Sequence, residues 1–96
     1  MPLFIAKYLY DQPEEARAAA RGPHRDYLRD LASKGLVVAA GPMADDENGF
    51  VLYRTESLEQ ANALLHNDPY LTLGGASSKG PREWNVVITS DDFPVH

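Results

Sequence analysis

Two hydrophobic spacings alternate along this chain. Leu3 to Tyr10 is an apolar, aromatic run of strand character. Phe4, Ala6, Tyr8 and Tyr10 fall on one side of it, and Leu3, Ile5 and Leu9 on the other. Asp11-Gln12-Pro13 ends the run. The polar, Ala/Arg-rich stretch 14–22 is compatible with a short helical turn or a loop. Pro23 suits the first turn of a helix. A stripe of helical period follows, with His24, Tyr27, Leu28 and Leu31 at i, i+3, i+4 and i+7. This helix is expected to end near Ser33 or Lys34, with Gly35 as its cap. Leu36 to Ala40 predicts a second strand, broken by Gly41-Pro42. Asp45 to Gly49 predicts a turn with hairpin chemistry at Asn48-Gly49, and Gly49 to Arg54 a third strand. Ser57, with Gln60 three residues on, forms a capping box. It opens a second helix from Leu58 to about Asn67, whose stripe is Ala61, Leu64, Leu65 and Asp68, with Pro69 as its stop. Residues 70–81 read as a Gly/Ser-rich loop, Arg82 to Thr89 as a fourth strand, and 90–96 as a short tail.

The resulting order, β-α-β-β-α-β, is that of the split-βαβ, ferredoxin-like sandwich: an α+β fold with two helices on one face of a four-stranded antiparallel sheet. At 96 residues, one domain over 1–96 is expected. The strands are apolar on both sides. Leu36-Val37-Val38-Ala39-Ala40 and Val86-Val87-Ile88 show no alternation at all. Strands apolar on both faces have both faces covered. Two helices cover one, so a second copy packed sheet to sheet is the expected cover of the other, giving a two-fold homodimer.

Two titratable residues interrupt the apolar stripes. His24 heads the first and Asp68 ends the second. In the β-α-β-β-α-β sandwich the helices run antiparallel. The start of the first, the end of the second, the ends of strands one and two and the start of strand four therefore share one end of the molecule. His24, Asp68, Tyr8, Asp11, Gly41-Pro42 and the loop before Trp84 converge there, a plausible small-molecule pocket. A carboxylate bonded to one imidazole nitrogen fixes the tautomer and raises the basicity of the other nitrogen, which then serves as a general base. A helix N-terminus would oppose a cationic His24 by about 0.3–1 kcal/mol, less than a charged hydrogen bond to Asp68 contributes, about 1.5–3 kcal/mol. Each residue also has a purely structural reading: a core histidine bonded to a carbonyl, and a turn former ahead of Pro69.

Composition narrows the field. A net charge of −5 disfavours nucleic acid, which needs a basic face. The chain has no cysteine, which removes disulfides, thiolate metal sites and a cysteine nucleophile. No apolar run reaches the ~20 residues of a membrane span, and Met1 to Tyr10 carries no signal-peptide pattern. A cytoplasmic location and no membrane contact are the expectations.

The run His24-Arg25-Asp26-Tyr27-Leu28-x-x-Leu31, then Gly35, then Ala40-Gly41-Pro42, resembles the YCII (YciI-like) proteins. Asp68-Pro69-Tyr70 matches that family's next motif. Tyr8 and Asp11, with Arg17 and Arg21 ahead of the helix, fit its opening segment. The resemblance covers residues 3 to 89. It implies a dimeric α+β barrel related in fold to muconolactone isomerases, and an active site carried by a His and an Asp at His24 and Asp68. Isomerase, lyase or dehydrohalogenase chemistry follows from members linked to aromatic degradation. The chain departs from the family after Tyr70, where 73–81 is longer and more polar than the usual Ala-Gly turn.

Tyr8, Asp11, Arg17, Arg21, Gly41, Pro42, Tyr70, Ser77 and Ser78 are the remaining candidates for substrate contact. Arg17, Arg21 and Arg25 could bind an anionic substrate or form a solvated basic face. Ser77-Ser78 could touch ligand or belong to a flexible loop, which lacks the Walker pattern of a phosphate cradle. His66 lies off the stripe and His96 in the tail. A metal would need ligands beyond His24 and Asp68, and Asp11 alone offers no metal spacing. No metal and no cofactor are expected. Asp45-Asp46-Glu47 reads as a solvated turn. Trp84 could wall the pocket or serve the core or a dimer.

Overall fold

Strand β1 (Leu3–Leu9) lies inside a four-stranded sheet and pairs antiparallel on both sides. The computed structural model describes residues 1–93; His96 and the end of the tail lie outside them. The element order is β1, α1 (Glu14–Ser33), β2 (Val37–Pro42), β3 (Asn48–Arg54), α2 (Leu58–His66), α3 (Pro69–Thr72) and β4 (Ser77–Trp84). The sheet order is β2-β3-β1-β4. This is the ferredoxin-like α+β arrangement, with the helices packed on one face.

That face is built from alternate residues of each strand. Phe4, Ala6 and Tyr8 of β1 stand opposite Tyr53, Val51 and Gly49 of β3. They meet Ala20, Leu28 and Leu31 of α1, Ala61 and Leu65 of α2 and Tyr70 of α3 in one core. Leu3, Ile5 and Leu9 alternate onto the opposite face beside Leu52 and Phe50. Leu3 and Leu52 are buried even there, and Ile5, Leu9 and Phe50 are half-buried.

The first helix begins at Glu14, not Pro23, and holds Pro23 in its interior. Glu14 and Glu15 occupy its first turn, where the exposed N–H groups favour carboxylates, and the alanines that follow are strong helix formers. Packing of Ala20 against the body of the protein outweighs the one backbone bond to Ala19 that Pro23 cannot make. His24 is consequently mid-helix, and the helix-end penalty anticipated for a cationic His24 does not arise.

The hairpin turn lies ahead of Asn48-Gly49, at residues 44–47. Asp46 takes the left-handed conformation at φ 59°, and Glu47 N–H donates to Asp45 Oδ1 at 3.1 Å. The aspartates thus close the turn, and Asn48 and Gly49 pair within β3. Ser57 caps α2 by accepting from Gln60 N–H at 3.1 Å, while Gln60 Oε1 reaches back to Glu56 N–H at 3.0 Å.

The last strand is also displaced. β4 spans Ser77–Trp84 rather than Arg82 to Thr89. Ser77, Ser78 and Lys79 pair with Leu9, Tyr8 and Lys7, and a bulge between Ile5 and Lys7 absorbs Gly80-Pro81. The polar residues of the expected loop are thus strand. Val87 and Ile88, expected inside the sheet, are 79% and 88% exposed beyond it. Trp84 closes β4 opposite Leu3, at the end of the sheet away from Tyr8. Between α2 and β4 the short helix α3, absent from the sequence-based expectation, forms because Asp68 caps it and Pro69 fits its first turn.

Candidate functional site

Asp68 is fully buried, and both of its carboxylate oxygens are hydrogen-bonded. Tyr8 Oη donates to Oδ2 at 2.5 Å. Tyr70 N–H donates to Oδ1 at 2.9 Å, which is the N-cap bond of α3. His24 Nδ1 lies 2.7 Å from the same Oδ1. A carboxylate only accepts, so Nδ1 carries the proton and a neutral His24 keeps its lone pair on Nε2. Three elements of the fold supply this cluster. β1 aims Tyr8 inward by alternation, α1 brings His24 on its buried stripe, and the α2–α3 junction places Asp68.

Aromatic packing holds the imidazole. Tyr70 stacks on its face, with centroids 3.7 Å apart and planes 13° apart. Tyr8 meets it edge-on at 5.2 Å. Close approach of the backbone supports this. A Cβ on Gly75 would come within 2.7 Å of Ala20 Cβ, so glycine lets the chain after α3 lie directly on α1.

Tyr53 also points its buried hydroxyl at this cluster, beside Tyr8, without forming a well-aligned hydrogen bond. Burial pushes both the Tyr8 and Tyr53 hydroxyls well above the usual phenol range. For Tyr8 the neighbouring tyrosine and the Asp68 charge add to the effect. The folded state therefore holds protons that the unfolded chain releases near pH ~10. Stability is unaffected below that pH and falls as pH rises through it. In an alkaline titration followed by phenolate absorbance, Tyr8 and Tyr53 are expected to ionise only in a cooperative step that coincides with loss of helical circular dichroism. Reversible ionisation of all five tyrosines with the fold intact would contradict this burial.

His24 fronts a cavity of about 340 Å³ between α1 and β2. Its side chain keeps 10% exposure, whereas Asp68 behind it keeps none. Of the candidates, Tyr8, Arg17, Arg21, His24, Gly41, Pro42 and Tyr70 line the cavity. Asp11, Ser77 and Ser78 do not. Ser77 Oγ donates to Asp11 at 2.6 Å on the exposed end of the sheet, and this bond holds the Asp11 carboxyl below the usual range. Ser78 is taken up by its pairing with Tyr8. Arg17 is half-buried, bonded to Asp46 at 2.9 Å and stacked over Tyr10 at 4.3 Å. Asp46 is thus a wall residue as well as a turn residue. His66 is exposed.

Tyr10, Leu28 and residues 37–40 also form the walls; the sequence marks them as strand or stripe positions rather than as site residues, and does not mark Tyr53 as one. Alternation carried the signal for two of them: Tyr10 shares the inward side of β1 with Tyr8, and Tyr53 shares that of β3 with Val51. Among the described residues, no three His, Asp or Glu side chains converge as a metal-ligand set, and no helix is long and apolar enough to cross a membrane.

The structure is a ferredoxin-like α+β fold with a buried His–Asp pair at one cavity. The YCII-related domain matches residues 3–85, and the chain belongs to that family. None of the curated proteins matches the sequence. Among solved structures, it is similar to 5-chloro-2-hydroxyhydroquinone dehydrochlorinase (TftG) from Burkholderia phenoliruptrix AC1100, in complex with 2,5-dihydroxybenzoquinone. That likeness has a TM-score of 0.60 at 20% identity, covering 82% of this chain and 93% of the other. At that identity it speaks for the fold.

Proposed function

We propose that the protein is a small enzyme in which His24 is the general acid–base and Asp68 its orienting partner. The observation that carries this is the 2.7 Å contact of His24 Nδ1 with a buried carboxylate that Tyr8 and the Tyr70 amide also hold, in an imidazole that fronts a cavity. Nε2 takes a proton from a small aromatic or keto-acid substrate, and the imidazolium returns it at another atom or to a leaving group. Isomerisation uses both transfers; in elimination or loss of halide, proton removal by Nε2 drives cleavage of the bond to the leaving group, a halide departs as the anion, and the imidazolium gives its proton to solvent. The dehydrochlorinase activity of the structural neighbour lies within the same range. Tyr8 and Tyr70 keep Asp68 and the ring in place, and Arg17, Arg21, Gly41 and Pro42 form the substrate walls.

The His24 tautomer tests this directly. Long-range proton–nitrogen NMR correlations of the histidine rings are expected to show His24 protonated at Nδ1, the nitrogen that faces Asp68 Oδ1. A proton on Nε2 in the wild-type protein would sink the dyad.

A second reading is a non-catalytic ligand-binding module, in which Asp68 only caps α3 and holds the His24 ring as part of the cavity wall. Turnover in a screen of small aromatic and keto acids separates the two, since a binder would hold such compounds unchanged. The reading also includes a cytoplasmic homodimer joined through the open sheet faces, supported by the half-buried Ile5, Leu9 and Phe50 there. Sedimentation as a monomer would overturn the dimer.

A further inference from the structure

We infer that the substrate carries a carboxylate, held by the guanidinium groups of Arg21 and Arg25. The inference rests on the cavity being the substrate site and adds the chemical class that the site selects.

Charge in this acidic chain is distributed against its average. Net charge is −5, yet Arg17, Arg21, Arg25 and Arg29, four of its six arginines, line one cavity. They repeat every four residues along α1 and so share one face of the helix. They are not equivalent. Arg17 is occupied by Asp46 and Tyr10. Arg29 has Asp26 at 3.6 Å. Arg21 and Arg25 make no hydrogen bond or ion pair among the described residues, and Arg21 is half-buried. Two uncommitted guanidinium groups thus flank His24, three residues before it and one after.

The opposite wall is of another kind. Val37, Val38, Ala39 and Ala40 of β2 present apolar surface there, and the rings of Tyr10 and Tyr70, packed against Arg17 and His24, add to it. A ligand that satisfies both walls is amphipathic: a flat apolar body against β2 and an anionic end on α1. A cavity of about 340 Å³ lies at the small end of ligand pockets and suits a single substituted ring. A carboxylate matches the paired donors of a guanidinium in a way that a halide or a neutral amide does not. Held there, the ligand places its ring beside His24 Nε2. The cationic pair also stabilises the negative charge that proton removal leaves on the substrate.

The probes are 4-hydroxybenzoate and its neutral analogue 4-hydroxybenzamide, titrated into the full-length protein and followed by amide NMR shifts. The acid is expected to bind at least about tenfold more tightly than the amide, with affinity falling as salt is raised. Arg21→Gln/Arg25→Gln should lose about tenfold or more for the acid and leave the amide unchanged. Arg21→Lys/Arg25→Lys, which keeps charge without the fork, should fall between. Both arginines lie at the surface of α1, and an unchanged amide spectrum away from the cavity reports that the fold survives. Equal binding of the two probes, no binding of the acid, or an unaltered double variant would each overturn the inference. The tautomer measurement fails separately. If Nε2 carries the proton while the acid still needs both arginines, the anion site stands and the acid–base reading falls.

Discussion

Replacing Asp68 with alanine is expected to remove about 3–5 kcal/mol of folding stability, the cost of taking one partner from a buried charged cluster. The side chain is fully buried and accepts from the Tyr8 hydroxyl, His24 Nδ1 and the Tyr70 amide. Alanine leaves three donors without partners, each worth about 1–3 kcal/mol when desolvated, though not additively. It also uncaps α3, which removes the reason for the chain to turn there. Domains of this size hold a total of about 5–15 kcal/mol, so the variant sits near the edge of folding. Its melting temperature should fall by more than about 10 °C. Asp68→Asn keeps the volume and one acceptor and should lose only about 1–2 kcal/mol. Urea denaturation of the three proteins checks this. An alanine variant within about 1 kcal/mol of wild type would mean that the cluster is not formed in solution.

His24→Gln is expected to act on chemistry rather than on the fold. Glutamine can still donate to Asp68 and fills most of the imidazole volume, but it cannot take up a proton. If His24 is the general acid–base, turnover should fall about 10²- to 10⁴-fold. Stability should change by about 1 kcal/mol, the worth of the lost ring stacking on Tyr70. KM should move little, because Arg21 and Arg25 rather than the imidazole hold the substrate. The assay is carbon-bound proton exchange into deuterated water, or product formation, on any acid that the wild-type protein turns over. A variant that retains full turnover would remove His24 from the mechanism.

These expectations show that the structural and catalytic readings of Asp68 are not alternatives. One carboxylate caps α3 and holds the imidazole through the same oxygen, Oδ1. A loss of stability on its removal is therefore no argument against a role in chemistry. Only the imidazole, which carries less of the packing, separates the two.

Local chemistry along the chain was sufficient for the order of strands and main helices, because periodicity and capping residues act within a few positions of one another. Ser57 and Gln60 announce α2, and the alternation of Phe4, Ala6 and Tyr8 sets the buried side of β1. His24 and Asp68 were legible for a related reason: each breaks an apolar stripe, and both stripes pack on the same face of the sheet, although the pair meets from the middle of α1 and the end of α2 rather than from two helix ends. Where the sequence misled, a local signal met a tertiary one. Pro23 looks like a helix start, but the packing of Ala20 and the residues before it carries the helix through. Gly80-Pro81 looks like a strand break, but the bulge opposite β1 accommodates it and β4 begins earlier. The cavity belongs wholly to the tertiary level. The separation of α1 from β2 sets its width, and the choice of Arg17 and Arg29 for neighbouring carboxylates leaves Arg21 and Arg25 open. The sequence by itself determined which residues could do chemistry. Only the three-dimensional packing decided which of them face one another, because ion pairing and burial depend on distances between segments that spacing along the chain does not contain.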